Sequence, residues 1–178
     1  MAMLFCFGAL GALGIDPPAR HSLALQDFEK RLDDYTQLRD RTRSGVKPLK
    51  DGASPEVIRQ HERALAAKIR AARSNASPGD IFTPEITAEF RRLIGEAMHG
   101  KEATRVHQSL KRAEPVKLVL RVNAAYPENV PLPSTPPTLL LYLPAMPPGL
   151  EYRVLGHDLV LRDTEANLIV DFISGVVP

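Results

Sequence analysis

Residues 150–173 (LEYRVLGHDLVLRDTEANLIVDFI) form three short apolar-rich runs separated by turn-forming residues. Tyr152 and Val154 alternate with Arg153, Leu159 and Leu161 with Val160 and Arg162, and Leu168, Val170 and Phe172 with Ile169, Asp171 and Ile173. Side chains on a strand point to opposite faces with a period of two, so each run offers one apolar face to a core. Gly156, His157 and Asp158 supply turn chemistry for one hairpin, and residues 163–167 (DTEAN) supply it for the next. A three-stranded antiparallel meander is expected, and the upstream chain must supply what covers it.

That upstream chain reads as helices. A first is expected over residues 22–43, where Leu25, Phe28, Leu32 and Tyr35 form one stripe at spacings of three, four and three. Gly45 and Pro48 end it. A second starts at Ser54-Pro55-Glu56, a cap, a first-turn proline and an acid at the positive end, with Ile58, Leu65, Ile69 and Ala72 marking its buried side. The loop-forming stretch 74–80 (SNASPGD) stops it, and the first two helices should make an antiparallel hairpin. Thr83-Pro84-Glu85 opens a third helix whose face, Ile86, Phe90, Leu93, Ile94, Ala97 and Met98, should pack on the sheet; Gly100 closes it. A weaker helix over 102–112 is anchored by Val106 and Leu110.

Two further strands are expected. Residues 116–123 (VKLVLRVN) set Val116, Leu118, Leu120 and Val122 on one face. Residues 127–148 hold 8 of the 16 prolines, which excludes a long helix and favours extended backbone, with TLLLYL (138–143) as a strand between prolines. Helices first and strands after make the class α+β: an N-terminal helical hairpin with one or two further helices, packed on a C-terminal, mostly antiparallel sheet of four to five strands. The expected division is a helical region at 25–114 and a β region at 115–178, together one domain over 25–178. The 178 residues suffice for one core, or at most two small ones.

The opening run, MAMLFCFGALGALGI, has no charge and is too short to span a bilayer comfortably, and it suits the apolar region of an export signal over residues 1–24. No Lys or Arg precedes Arg20, so either the segment is cut short at its start or a buried N-terminal segment takes its place. Export, to the periplasm or beyond, is the expected reading. The mature chain would then lack cysteine, since Cys6 is the only one, and an integral membrane span is not expected in it.

Composition is that of an ordinary globular protein, with 44% apolar and 25% charged residues. A net charge of +2, and basic pairs such as Arg91-Arg92 and Lys111-Arg112 without interleaved aromatics, argue against a nucleic-acid partner. His61-Glu62 opens a zinc-protease-like pair, but Leu65 stands where the second histidine would be needed, and the other histidines are dispersed; neither a metal site nor a cofactor is expected. No nucleophile elbow and no glycine-rich phosphate loop is present, so no catalytic residue is assigned. The residues best suited to a binding role cluster in the meander: His157, Asp158, Asp163, Glu165, Asn167 and Asp171. Turn hydrogen bonding explains most of the acids. Asp171, flanked by Val170 and Phe172, needs a partner, for which Arg153 or Arg162 on a neighbouring strand is expected.

The run PPTLLLYLPAMPPGLEYRVLGHDLVLRDTEANLIVDFI, with GDIFTPEITAEFRRLI upstream, resembles a family of uncharacterised bacterial exported proteins. The resemblance extends from about Leu25 onward and implies export and the fold boundaries, with no activity attached. PPGLEYRVLGHDLVL and NLIVDFI are also similar to the short meander of periplasmic nickel/cobalt-homeostasis proteins, although Glu165-Ala166-Asn167 stands where those carry a Thr-Gly turn. The expected function is therefore that of an exported, non-enzymatic binding or interaction protein with a protein or small-molecule partner. The alternatives are a hydrolase-like enzyme using the meander carboxylates, Asp171 foremost, and a periplasmic metal-homeostasis protein.

Overall fold

Ser22 begins the first helix by accepting a hydrogen bond from the Leu25 amide, and α1 runs Leu23–Arg43. Ser54 does the same for Val57 at the head of α2 (Pro55–Ala72), and Thr83 for Ile86 at the head of α3 (Pro84–His99). Each cap satisfies an amide that the first helical turn leaves without a partner. α4 spans Ala103–Arg112, and α5 is a single turn, Pro137–Leu140. The strands β1 (Leu150–Leu155), β2 (Asp158–Asp163) and β3 (Leu168–Ile173) form one antiparallel sheet in sequence order. The class is α+β. This computed structural model describes residues 22–100, 103–112, 118–133 and 135–177. The expected export segment as far as residue 21, and the first two residues of the expected strand 116–123, lie outside them.

The sheet is covered on both faces. On one, Tyr152, Val154, Leu159, Leu161 and Val170 join the core built by α1, α2 and α3. Three phenylalanines tie that core together. Phe28 of α1 and Phe82, just before α3, stack at 5.5 Å, and Phe90 of α3 meets both edge-on at 4.9 and 5.2 Å. Phe90 then contacts Tyr152 of β1 at 5.9 Å, which joins the helices to the sheet. On the other face, Leu155, Val160 and Ile169 form a smaller core with Tyr126, flanked by the half-buried Leu118 and Leu120.

Among the described residues the sheet has three strands, and the two further strands expected at 116–123 and 138–143 do not form. The first run approaches β3 only briefly. The Asn123 amide donates to Ile169 O, the Ile169 amide to Ala124 O and the Tyr126 amide to Asn167 O, giving a single bridge between Ala125 and Leu168. Asn123 has a φ of 64°, a left-handed conformation that Asn tolerates, and it turns the chain out of the strand direction. The apolar alternation is then used differently: Leu118 and Leu120 cover the second face while Val119 is exposed. In the second run, Pro137 occupies the first position of a helical turn, and the amides of Leu139 and Leu140 donate to Pro136 O. Proline's fixed φ suits that position. TLLLYL lacks alternation, so its period cannot separate strand from turn; Leu139 is buried and Leu141 exposed.

In α2 the buried side is Leu65, Ala66 and Ile69. Ile58 and Ala72, expected beside them, are exposed. Ile58 lies on the same stripe but two turns before Leu65, beyond the end of the core.

Candidate functional site

The six meander residues singled out in the sequence fall into three separate places. At the β1–β2 turn, His157 O accepts the amides of Val176 and Val177, and His157 Nδ1 lies 2.9 Å from Val177 O. A carbonyl only accepts, so Nδ1 carries the proton there. Asp158 Oδ1 accepts the Gly175 amide at 2.9 Å. These two residues fasten the C-terminal segment over the turn.

The second place is the β2–β3 turn. Asp163 follows Leu159 and Leu161 on the inward face of β2 and is fully buried. Its Oδ1 accepts the amides of Glu165 and Ala166, and its Oδ2 accepts the Tyr35 hydroxyl at 2.8 Å. Glu165 pairs with Arg43. Asn167, with a φ of 49°, accepts from Arg162 through Oδ1 and donates through Nδ2 to Tyr126 O. One face of α1 therefore grips this turn through Tyr35 and Arg43.

A third member of that face carried little signal in the sequence. Arg39 continues the stripe four residues after Tyr35 and is buried. Its Nη2 donates to Pro148 O at 2.9 Å, its Nη1 lies 3.7 Å from Asp163 Oδ2, and Nε and Nη1 make no hydrogen bond among the described residues. Gly149, at a φ of 82°, closes over it; a Cβ there would run into the Arg39 guanidinium and come within 2.9 Å of Glu165 Oε1. A side chain at position 149 would be strained at this φ and would displace the guanidinium.

Asp171 stands alone. The pairing of β2 with β3 slips between Leu161 and Arg162, so that Leu161 opposes Asp171 while Arg162 opposes Ile169. Val170 is the extra residue of this bulge. Such an insertion reverses the side-chain phase, so Val170 and Asp171 both turn toward the helical side while Ile169 and Phe172 pack on the other. The partners of Asp171 are amides and not the guanidinium expected. Its Oδ1 accepts from Gly79 and Phe172, and its Oδ2 from Ile81 and Phe82, at 2.8 to 3.1 Å. Arg153 and Arg162 bond Glu151 instead. Burial opposes ionisation of Glu151, but these guanidinium hydrogen bonds outweigh it and hold its carboxyl below the usual range.

Two tyrosines make the fold sensitive to alkali. Burial, and then the adjacent Asp163 carboxylate, raise the Tyr35 hydroxyl far above its ordinary range. Burial alone raises Tyr152, whose hydroxyl has no hydrogen-bond partner among the described residues. In the unfolded chain both ionise near the ordinary value of about 10. Above that pH the unfolded state binds fewer protons than the folded one, so stability is full below about pH 10 and falls as pH rises past it, by up to about 1.4 kcal/mol per pH unit for each tyrosine. Spectrophotometric titration alongside unfolding curves should show Tyr35 and Tyr152 ionising only as the protein unfolds. Ionisation of all four tyrosines near pH 10 with the fold intact would contradict it.

A larger cleft open to solvent lies elsewhere. Residues 45–53, between α1 and α2, fold back along an exposed flank of α2 and enclose a volume of about 680 Å³. The cavities beside Tyr35 and beneath Thr135 are smaller, about 450 and 400 Å³. The loop is held by His61, whose Nδ1 lies 2.9 Å from Lys47 O. Apolar side chains line the cleft, among them Val46, Leu49 and Val57, the last two 43% and 47% exposed. Lys47, Lys50 and Lys68 also line it, with Asp51 as the only acidic lining residue among the described residues. None of these lysines forms an ion pair with a carboxylate among the described residues. The Lys68 ammonium lies against Gly45, where a Cβ would come within 2.7 Å of Nζ.

Among the described residues no group of three His, Cys, Asp or Glu side chains converges to hold a metal ion, and no helix is long and apolar enough to cross a membrane. Comparison with known protein families, curated proteins and solved structures finds no match to this chain.

Proposed function

We propose that the protein is an exported, non-enzymatic binding protein and that the cleft between α1 and α2 is its binding site. One contrast carries the reading. The acids best suited to chemistry already serve the fold, Asp171 with four amides and Asp163 with two amides and the Tyr35 hydroxyl, while the lysines of the cleft have no carboxylate partner among the described residues. A general acid or base must reach its substrate and exchange a proton. Asp171 would have to surrender buried amides to do so. A concavity of several hundred cubic ångströms with an apolar lining and a few polar groups is what a small-molecule site requires. Export rests on the uncharged run at residues 1–15.

A screen of small organic fragments followed by amide correlation spectra tests this reading. Saturable shifts confined to residues 45–68 are expected. Shifts clustering around Asp158, Asp163 and Asp171 together with turnover of ester or amide probes would replace it with the hydrolase. A rise in melting temperature specific to nickel or cobalt would replace it with metal homeostasis.

A further inference from the structure

The chemistry of the cleft narrows what can occupy it. Its apolar lining includes Val46, Leu49 and Val57, and the folded chain leaves Leu49 and Val57 partly in water. Covering such a surface is favourable in proportion to the area removed from water. Among the described residues its lining includes three lysines against one acidic residue, Asp51, so the local potential is positive although the whole chain carries only +2. A cation with no carboxylate partner among the described residues gains from a ligand anion without first breaking one of their ion pairs. Among the described residues no arginine lines the cleft. Lysines act as point charges on flexible stems and not as a planar fork, so they demand negative charge and little geometry.

We propose that the cleft takes a small amphiphilic anion, an aliphatic chain ending in a carboxylate. The chain lies on Leu49 and Val57 and the carboxylate is met by Lys47, Lys50 and Lys68. This rests on the cleft being the binding site and adds the class of ligand. Both halves of the ligand are needed. Inorganic phosphate would satisfy the lysines and leave the apolar lining wet, and a neutral alcohol of the same length would cover the lining and leave the lysines unmatched.

Titration of the whole protein with octanoate, octanol and inorganic phosphate, followed by amide correlation spectra, tests the proposal. Octanoate should shift the amides of residues 45–68 saturably and bind about tenfold tighter than either control. Replacing the three lysines together (K47Q, K50Q and K68Q) should weaken octanoate about tenfold and leave octanol unchanged. L49S should weaken both, and a preserved melting temperature in each variant would show that folding is not the cause. Equal binding of octanol or of phosphate, or octanoate shifts spread over the whole surface, would overturn the ligand class. If unrelated fragments occupy the cleft and octanoate does not, the ligand class fails while the binding site stands. If no probe enters the cleft, both fail.

Discussion

Replacing Asp171 by alanine should lower the unfolding free energy by about 4 kcal/mol, because each buried donor left without an acceptor costs about 1–3 kcal/mol. The carboxylate is fully buried and holds the amides of Gly79, Ile81 and Phe82 from the segment that leads into α3, together with the amide of Phe172. Water entering the vacated space will satisfy some of them, which keeps the expected loss below the sum of the separate costs. A loss of that size is a large share of the roughly 5–15 kcal/mol that stabilises a typical domain. It should appear as a fall in melting temperature of roughly 8–16 °C for a chain of this length. Asp171→Asn should lose less, since one oxygen still accepts while the new NH₂ faces donors. Asp158 is the matched control: it accepts a single exposed amide, from Gly175, and D158A should cost under about 1 kcal/mol. Equal losses at positions 158 and 171 would show that the bulged strand does not fasten the α3 lead-in as described.

Phe90→Ala should cost about 3–5 kcal/mol, the range for deleting a fully buried phenyl ring. Phe90 has no exposure and touches Phe28, Phe82 and Tyr152. Those neighbours come from α1, the α2–α3 loop and β1, so the gap cannot be closed by shifting one element. Edge-on aromatic pairs add about 0.5–1.5 kcal/mol each beyond buried area. F90L, which keeps most of the volume, should cost less than half as much as F90A in chemical denaturation, with the slope unchanged. A double-mutant cycle with Y152L should show coupling of at least about 0.5 kcal/mol. Independent losses at the two positions would mean that the helix-to-sheet contact contributes little.

Neither residue was hard to find in the sequence, but only one was legible. Phe90 sits in a helix stripe that periodicity alone places in a core. Asp171 was recognisable as a polar residue in an apolar strand, yet the arginine partners assigned to it follow from a regular strand. The bulge at Val170 moved it to the helical side, where amides reach it and guanidinium groups do not. The candidate cleft was less visible still. Residues 45–53 read as a connection between helices, and Ile58, which periodicity places on the buried stripe of α2, is left exposed beyond the end of the core. Once α2 is seen to bury only Leu65, Ala66 and Ile69, the exposed apolar residues around its start become a feature that needs a reason.

Caps, first-turn prolines and hydrophobic spacing act over four or five residues, and from these the sequence by itself determined α1 to α4 and the three strands of the meander. Three outcomes came only from the tertiary structure: the loss of two expected strands, the inward turn of Asp171 and the burial of Arg39. Each depends on which distant group lies across from a residue. A left-handed Asn123 with its amide on Ile169, a slipped pairing beside Leu161 and a glycine at position 149 leave no trace in local periodicity. Local preferences are worth a few tenths to about 1 kcal/mol per residue, and an unmatched buried polar group costs more than that. Where the two compete, the long-range partner decides.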